Sequence, residues 1–455
     1  MRPLRVFLLV LLGAGPLLAG AVHEPVFVPL LAGSAAAGLV AHARARRSRR
    51  AGNEVPPLPA RRLLAGLHAL VLLQLLPLPP GLLRLVSPGS FAFYDKQSLV
   101  PLAAWRPISV SPPDTLRGLA FVAAFSLLYL AVFREMTDSR WRRRLLLTVV
   151  GVGIAITVVA FLQSASAEPR KIYGLWHPRW DWGVFGPYVN RNHFASYLVM
   201  AIPLSIGVAL GAIARMRAEW GRRRRGWLVL GESRGTAVVR SSVAVMVLVA
   251  GLLAAGSRGA VCAFAGAALL LPLASRRRRA TALGVALLAG LGVAWIGVGG
   301  VLSAFESRGI RGSRLDLWRD MLPIVPHFPA FGVGWNAFAT AYPWYRTLPG
   351  PDWVGEAHDE YLQALLDGGL VGAALALGLL AVALRGALAR ARTSTLDLGL
   401  LGALVGLALN ALVDFSFQIP ANAATWTALA ALATRPGRGR DHPIEGSIEA
   451  GEGPP

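Results

Sequence analysis

The chain has 455 residues, 55% of them hydrophobic and only 15% charged, and a net charge of +22 at pH 7. A water-soluble protein of this length needs far more polar surface, whereas apolar runs of about 20 residues suit the roughly 30 Å of hydrocarbon that a transmembrane helix must cross. The basic excess does not indicate a nucleic-acid partner, because it falls in short runs beside apolar spans, such as 44–50, 140–144, 222–225 and 276–279, as the positive-inside rule expects of cytoplasmic loops.

Read with alternating orientation, the spans are 4–22, 25–42, 63–86, 115–133, 145–163, 193–214, 242–256, 260–275, 281–303, 369–388, 398–414 and 421–434. The expectation is an all-α polytopic membrane protein of about twelve transmembrane helices, with both termini inside. Long unbroken apolar runs select helices over a closed barrel. The first segment, with Arg2 and Arg5 before an apolar run, also resembles a signal peptide; a retained first helix is favoured because another span follows at once. Pro77, Pro79 and Pro80 kink the span at 63–86 or end it early. Spans 242–256 and 260–275 are short and form a tight outer hairpin around Ser257-Arg258-Gly259. Residues 1–434 read as one transmembrane domain, and the Gly-, Pro- and charge-rich segment 435–455 as a disordered cytoplasmic tail. The single cysteine, Cys262, leaves no intrachain disulfide, and nothing suggests a zinc or iron–sulfur site.

The most informative segment is the outer loop 304–368. It gathers Arg308, Arg311, Arg314, Arg319, Glu356, His358, Asp359 and Glu360 in a chain with few other places for ionisable groups. Charge beside a bilayer is expensive and is usually functional, so the loop reads as a site for an anionic, membrane-held substrate.

Ser313 and Asp316 resemble a capping box, which puts Arg314 at the positive end of a helix, with Arg311 near it. An arginine fork there fits the oxygens of a pyrophosphate; a lipid headgroup or a nearby aspartate is the other reading. In the stretch from Glu356 to Gly369, Tyr361, Leu362, Leu365 and Leu366 suit a helix face that ends at Gly368-Gly369. His358 then falls in the first turn, as a neutral base or as a backbone-bonding histidine. Arg258, outside the membrane against the positive-inside trend, reads as an anion ligand or as a snorkelling side chain. Asn190, Arg191, Asn192 and His193 stand where an outer loop enters a span, suited to helix capping or to sugar and phosphate contacts. Asp414, with Asn410, Gln418 and Asn422, reads as a hydrogen-bonded helix–helix contact.

These residues resemble the O-antigen ligase and polymerase family of bacterial envelope glycosyltransferases. The resemblance rests on Gly186-Pro-Tyr-Val-Asn-Arg-Asn-His-Phe194, Ser257-Arg-Gly259, Arg314-Leu-Asp-Leu-Trp318, Gly332-Val-Gly334, Ala357-His-Asp-Glu-Tyr-Leu362 and Gly368-Gly-Leu-Val-Gly372, in that order over about 145–390, with a looser echo at Asp414–Pro420. It implies a fold like that of the C-type glycosyltransferases and a metal-independent, inverting transfer with no cofactor. The implied donor is a glycan on undecaprenyl pyrophosphate, and the acceptor is a glycan or lipid hydroxyl at the outer face of the inner membrane. By motif, Arg258 and Arg314 hold the pyrophosphate and His358 activates the acceptor, with Arg311, Asn190, Arg191, Asn192, His193, Glu356 and Tyr361 as candidate substrate contacts. Asp359 stands where asparagine is also common. A transporter or lipid-linked glycan flippase is the competing expectation, although a carrier should bury its polar groups at mid-membrane in two related halves.

Overall fold

A computed structural model describes residues 2–97, 105–179, 183–220, 233–274, 314–350, 353–392 and 394–436. The expected span at 281–303, Arg311 and the tail beyond 436 lie outside the described residues. The described chain is nearly all helix; its only β-pairing consists of isolated bridges such as Leu78 with Arg106.

The helices, in order, are α1 (Arg2–Leu17), α2 (Glu24–Arg50), α3 (Arg61–Leu75), α4 (Pro80–Val86), α5 (Pro88–Gln97), α6 (Pro112–Glu135), α7 (Ser139–Ser164), α8 (Arg191–Trp220), α9 (Ser233–Ala254), α10 (Arg258–Ala274), α11 (Arg314–Met321), α12 (Phe338–Ala341), α13 (Glu360–Ala391), α14 (Thr395–Asn410) and α15 (Pro420–Ala433). Among the described residues six helices are long and apolar enough to cross a membrane, namely α2, α6, α7, α8, α9 and α13; α10 and α14 are shorter apolar helices. The helix from residue 61 stops at Leu75, just before the proline group, since proline cannot donate to the helical ladder.

Helix α14 is central. It packs against α8, α10, α13 and α15, and nearly all of its residues are buried. Its two ends differ in chemistry. At its start, buried Asp397 accepts from the Ser394 hydroxyl at 2.6 Å and is ion-paired with Arg142 and Arg390. Arg5–Asp138 (2.6 Å) and Arg44–Glu135 (3.1 Å) are further pairs between sequence-distant segments. Its other end runs into the turn 411–419, where the candidate site lies.

The expected helix end at Gly368-Gly369, with a separate span after it, agrees with the structure: the 32 residues of α13 are two helical pieces that meet at a kink at Gly369, whose φ is +61°. The segment 329–334 lies directly on the bend. A Cβ on Gly369 would meet the Ala330 carbonyl carbon at 2.4 Å, and one on Gly332 would meet that of Asp367 at 2.4 Å. The backbone groups freed by the bend find partners there: Leu370 N–H donates to Pro329 O at 2.9 Å, Val333 N–H to Leu366 O at 2.9 Å and Gly334 N–H to Asp367 O at 3.1 Å. Without such partners a break in a membrane helix would strand polar groups in hydrocarbon. Gly332 and Gly369 thus sit where two stretches of backbone touch.

Candidate active site

Four chain segments meet at one end of the bundle: the start of α8, the turn between α9 and α10, the loop before α13, and the turn between α14 and α15.

At the start of α8, Asn190 is the cap. Its Oδ1 accepts the Asn192 N–H at 2.8 Å, and its carbonyl accepts from His193 and Phe194. Exposed Arg191 runs past Gly183 towards the α9–α10 turn, and its guanidinium is 3.6 Å from where a Gly256 Cβ would sit. His193 points inward and is only 3% exposed.

Arg258 opens α10 and is exposed. The next residue, Gly259, presses on the α14–α15 turn so closely that a Cβ would meet a Val413 methyl at 2.7 Å. Arg258 therefore stands two residues from the glycine beside Arg191 and one from the glycine packed next to Asp414.

Asp414 is buried. Its Oδ2 accepts from Ser196 at 3.3 Å, and Asn410 donates to both Ser196 and Ser416 at 2.8 Å. Asn422 bonds the His193 carbonyl at 3.0 Å and accepts from Tyr188 at 3.1 Å. The expected helix–helix role is real for Asn410 and Asn422. Asp414 does more: it is near enough to Arg314 for the two charges to influence each other. Burial raises the Asp414 carboxyl to about 6, against the lowering effect of Arg314, the Phe415 amide and Ser196. Burial also pulls the Arg314 guanidinium below its usual range, and Asp414 opposes this.

The loop before α13 corrects one expectation. His358 is not in the first turn of the helix. Asp359 is the cap, its Oδ1 accepting the Tyr361 and Leu362 N–H groups at 2.8 and 3.0 Å, so His358 lies one residue outside. Its φ is +54°, a left-handed value that strains a non-glycine residue by about 1–3 kcal/mol and persists only where neighbours hold it. The imidazole is lowered to about 4, first by burial and then by Arg314, rather than by the helix end. Neighbouring Glu356 is raised to about 7 by burial and by Asp414.

Both histidines meet Phe415 edge to face, His193 at 4.6 Å and His358 at 4.8 Å. Both ring nitrogens of His193, Nδ1 of His358 and Oδ1 of Asp414 are buried with no hydrogen-bond partner among the described residues. An unpaired buried polar atom costs about 1–3 kcal/mol. Four such atoms, on the two histidines that meet Phe415 and on the aspartate that precedes it, suit a candidate functional centre better than a packed core.

Other candidates have structural duties. The Tyr361 hydroxyl donates to Ala408 O at 2.8 Å, bracing α13 on α14. Glu360, which sequence reasoning left without a role, accepts from the Phe417 amide at 2.6 Å and so fixes the turn that carries Asp414 and Phe415. Gln363 also escaped notice, and Trp318 entered only as the end of a motif. A tryptophan in an interfacial loop and a glutamine on a helix look ordinary, and only their partners distinguish them. Beside this centre, an apolar cavity of about 320 Å³ reaches between α3, α6, α13 and α15, lined by Leu67, Phe125, Glu360, Tyr361, Leu377 and Trp426 among others.

Residues 243–377 match a family model described as O-antigen ligase. The match supports membership of that family and a glycan-transfer role in O-antigen or polysaccharide biosynthesis. It spans less than a third of the chain and contains Arg258, Arg311, Arg314, Glu356, His358 and Tyr361, but not Asn190–His193 or Asp414. No curated protein matches the chain.

Proposed function

We propose that the chain is a multi-pass glycosyltransferase of the bacterial inner membrane, with both termini cytoplasmic and the site facing the periplasm. It moves a glycan from undecaprenyl pyrophosphate to an acceptor hydroxyl, joining repeat units or attaching a finished polymer. The observation that carries the reading is the pairing of a cation with a neutral base: Arg314, countered by buried Asp414, lies beside a His358 that keeps its lone pair at neutral pH.

His358 Nε2 accepts the proton of the acceptor hydroxyl while Nδ1 faces the buried side. The acceptor oxygen attacks the anomeric carbon from the face opposite the diphosphate, and the C–O bond electrons leave on the diphosphate oxygen, inverting the centre. Negative charge grows on that leaving group. Guanidinium groups already fixed around it stabilise that charge without reorganising. Arg314 and Arg258 carry this role, with Arg191 beside Arg258 and Arg311 near Arg314 in sequence. The substrate supplies its own activation, so neither ATP nor a metal is invoked. Asn190 and Asn192 at the rim of α8 suit sugar hydroxyls. The apolar cavity by Glu360 and Tyr361 suits a lipid chain. Orientation follows from charge: α7 begins in the Arg140–Arg144 run and α8 begins at the site, so the basic end and the site are at opposite ends of consecutive helices.

The test is reconstitution of the full chain in lipid vesicles with an undecaprenyl-diphosphate-linked glycan and an acceptor glycolipid. The expected result is EDTA-insensitive transfer with one undecaprenyl diphosphate released per bond formed. Movement of intact lipid-linked glycan between leaflets, with no release, would instead make the chain a flippase. A deletion strain separates the variants: free polymer accumulates if a ligase is lost, single repeat units if a polymerase is lost.

A further inference from the structure

Gln363 and Asp367 are buried polar side chains, 5% and 4% exposed, that the proposed chemistry does not use. They belong to one hydrogen-bonded chain. The Ala357 N–H donates to Gln363 Oε1 at 2.7 Å. Gln363 Nε2 donates to Asp367 Oδ2 at 2.9 Å. Asp367 Oδ1 accepts the Phe338 N–H at 3.0 Å, and the Asp367 carbonyl accepts from Gln74 at 2.9 Å. On its other side, the Ala357 carbonyl accepts the Trp318 indole N–H at 2.8 Å. Trp318 stands four residues after Arg314 on α11, about one helical turn.

The two bonds of Ala357 therefore tie the arginine helix to α13, and the next residue is His358 in its left-handed conformation. Asp359 caps α13 on the far side. A strained backbone relaxes unless its surroundings over-determine it. Here a clamp stands on each side of the histidine.

We propose that Gln363 is a positioning residue for His358: through the Ala357 peptide, and with Trp318 on the opposite side, it fixes the imidazole relative to Arg314. The inference rests on His358 being the base. The side chain suits the task because an amide accepts from Ala357 and donates to Asp367 at once. Leucine would strand the Ala357 N–H and an Asp367 oxygen, and glutamate would set a second carboxylate against Asp367. The groups facing His358 are Arg314 from α11 and His193 from α8, with Glu356 and Asp359 flanking it along its own loop.

The test compares full-length Gln363→Leu with wild type in vesicles holding the undecaprenyl-diphosphate-linked donor. Displacing a reacting group by about 1 Å lowers turnover by roughly 100-fold, so kcat should fall between about 10- and 100-fold while the donor KM stays within about threefold. The acid limb of the rate profile should rise from about 4 towards the ordinary imidazole value of about 6.5 as His358 gains solvent. Trp318→Phe keeps the ring, removes only the indole donor, and should show the same split; it decides the question if Gln363→Leu does not fold. Folded variants with wild-type kcat and an unmoved acid limb would overturn the inference. Wild-type protein that transfers no glycan would instead sink the functional reading, so the two failures are distinguishable.

Discussion

His358 and Phe415 meet edge to face with ring centroids 4.8 Å apart, and the same phenyl ring meets His193 at 4.6 Å. Phe415 belongs to the turn after α14 and the two histidines to other segments, so one apolar side chain sets the places of both imidazoles. Edge-to-face pairs contribute about 0.5–1.5 kcal/mol beyond area burial. Phe415→Leu should lower transfer by roughly 10-fold through looser placement of His358, with normal membrane levels of the protein. Transfer assays at matched protein amount check this.

The rate profile should have an unusual acid limb. A base acts only when unprotonated, and burial with Arg314 lowers the His358 imidazole to about 4. Transfer should therefore persist as pH falls below 6 and be lost only near 4. Arg314→Gln removes one of the two lowering influences, so the limb should move upward, while burial, the larger influence, keeps it below the free imidazole value. Turnover against pH in both proteins tests this.

Glu356 works in the opposite sense. Burial and Asp414 raise it to about 7, so it is neutral below that pH and gains negative charge above it. Ionisation beside a diphosphate should weaken donor binding, and the donor KM should climb as pH rises through 7. Glu356→Gln should abolish that climb and leave the acid limb in place. A KM equally pH-dependent in both proteins would refute the assignment.

At the far end of α14 the expected effect is on stability. Asp397 is 3% exposed and serves both Arg142 and Arg390. Removing Asp397 takes away the counter-charge that both arginines share, although Arg390 keeps its bond to the Arg435 carbonyl, so the loss should stay below the roughly 3–5 kcal/mol of a fully buried broken pair. Asp397→Leu should lower the thermal midpoint in detergent and the amount of inserted protein, while the turnover of surviving molecules stays near normal.

Much of the scaffold was legible because lipid is a simple solvent. Long apolar runs gave helices, and the proline group gave the end of α3. Residues whose role depends on a partner far along the chain were harder to read. Gly368-Gly369 reads as a helix stop, and the helix does break there, but nothing local shows that the 329–334 segment supplies partners for the opened backbone. His358 looked like a first-turn residue, but Asp359 takes the cap and leaves the histidine outside with a left-handed backbone.

The candidate site was read in part for the same reason. Arg258, Arg314 and His358 are unusual where they stand, and the family resemblance is what gives them their expected roles. Asp414 is not, because a buried aspartate near Asn410 and Asn422 resembles an interhelical contact until Arg314 is brought against it. Gln363 and Trp318 carry no signal in isolation; their meaning is the Ala357 peptide between them.

The most direct test is the transfer rate of reconstituted His358→Gln with an undecaprenyl-diphosphate-linked donor, measured beside donor affinity. A general base contributes about 10²–10⁴-fold to rate. Turnover should fall by that factor while donor affinity stays within about threefold, because the guanidinium groups proposed to bind the diphosphate remain. Wild-type turnover in His358→Gln would contradict the assignment of the base and, with it, the proposed transfer chemistry.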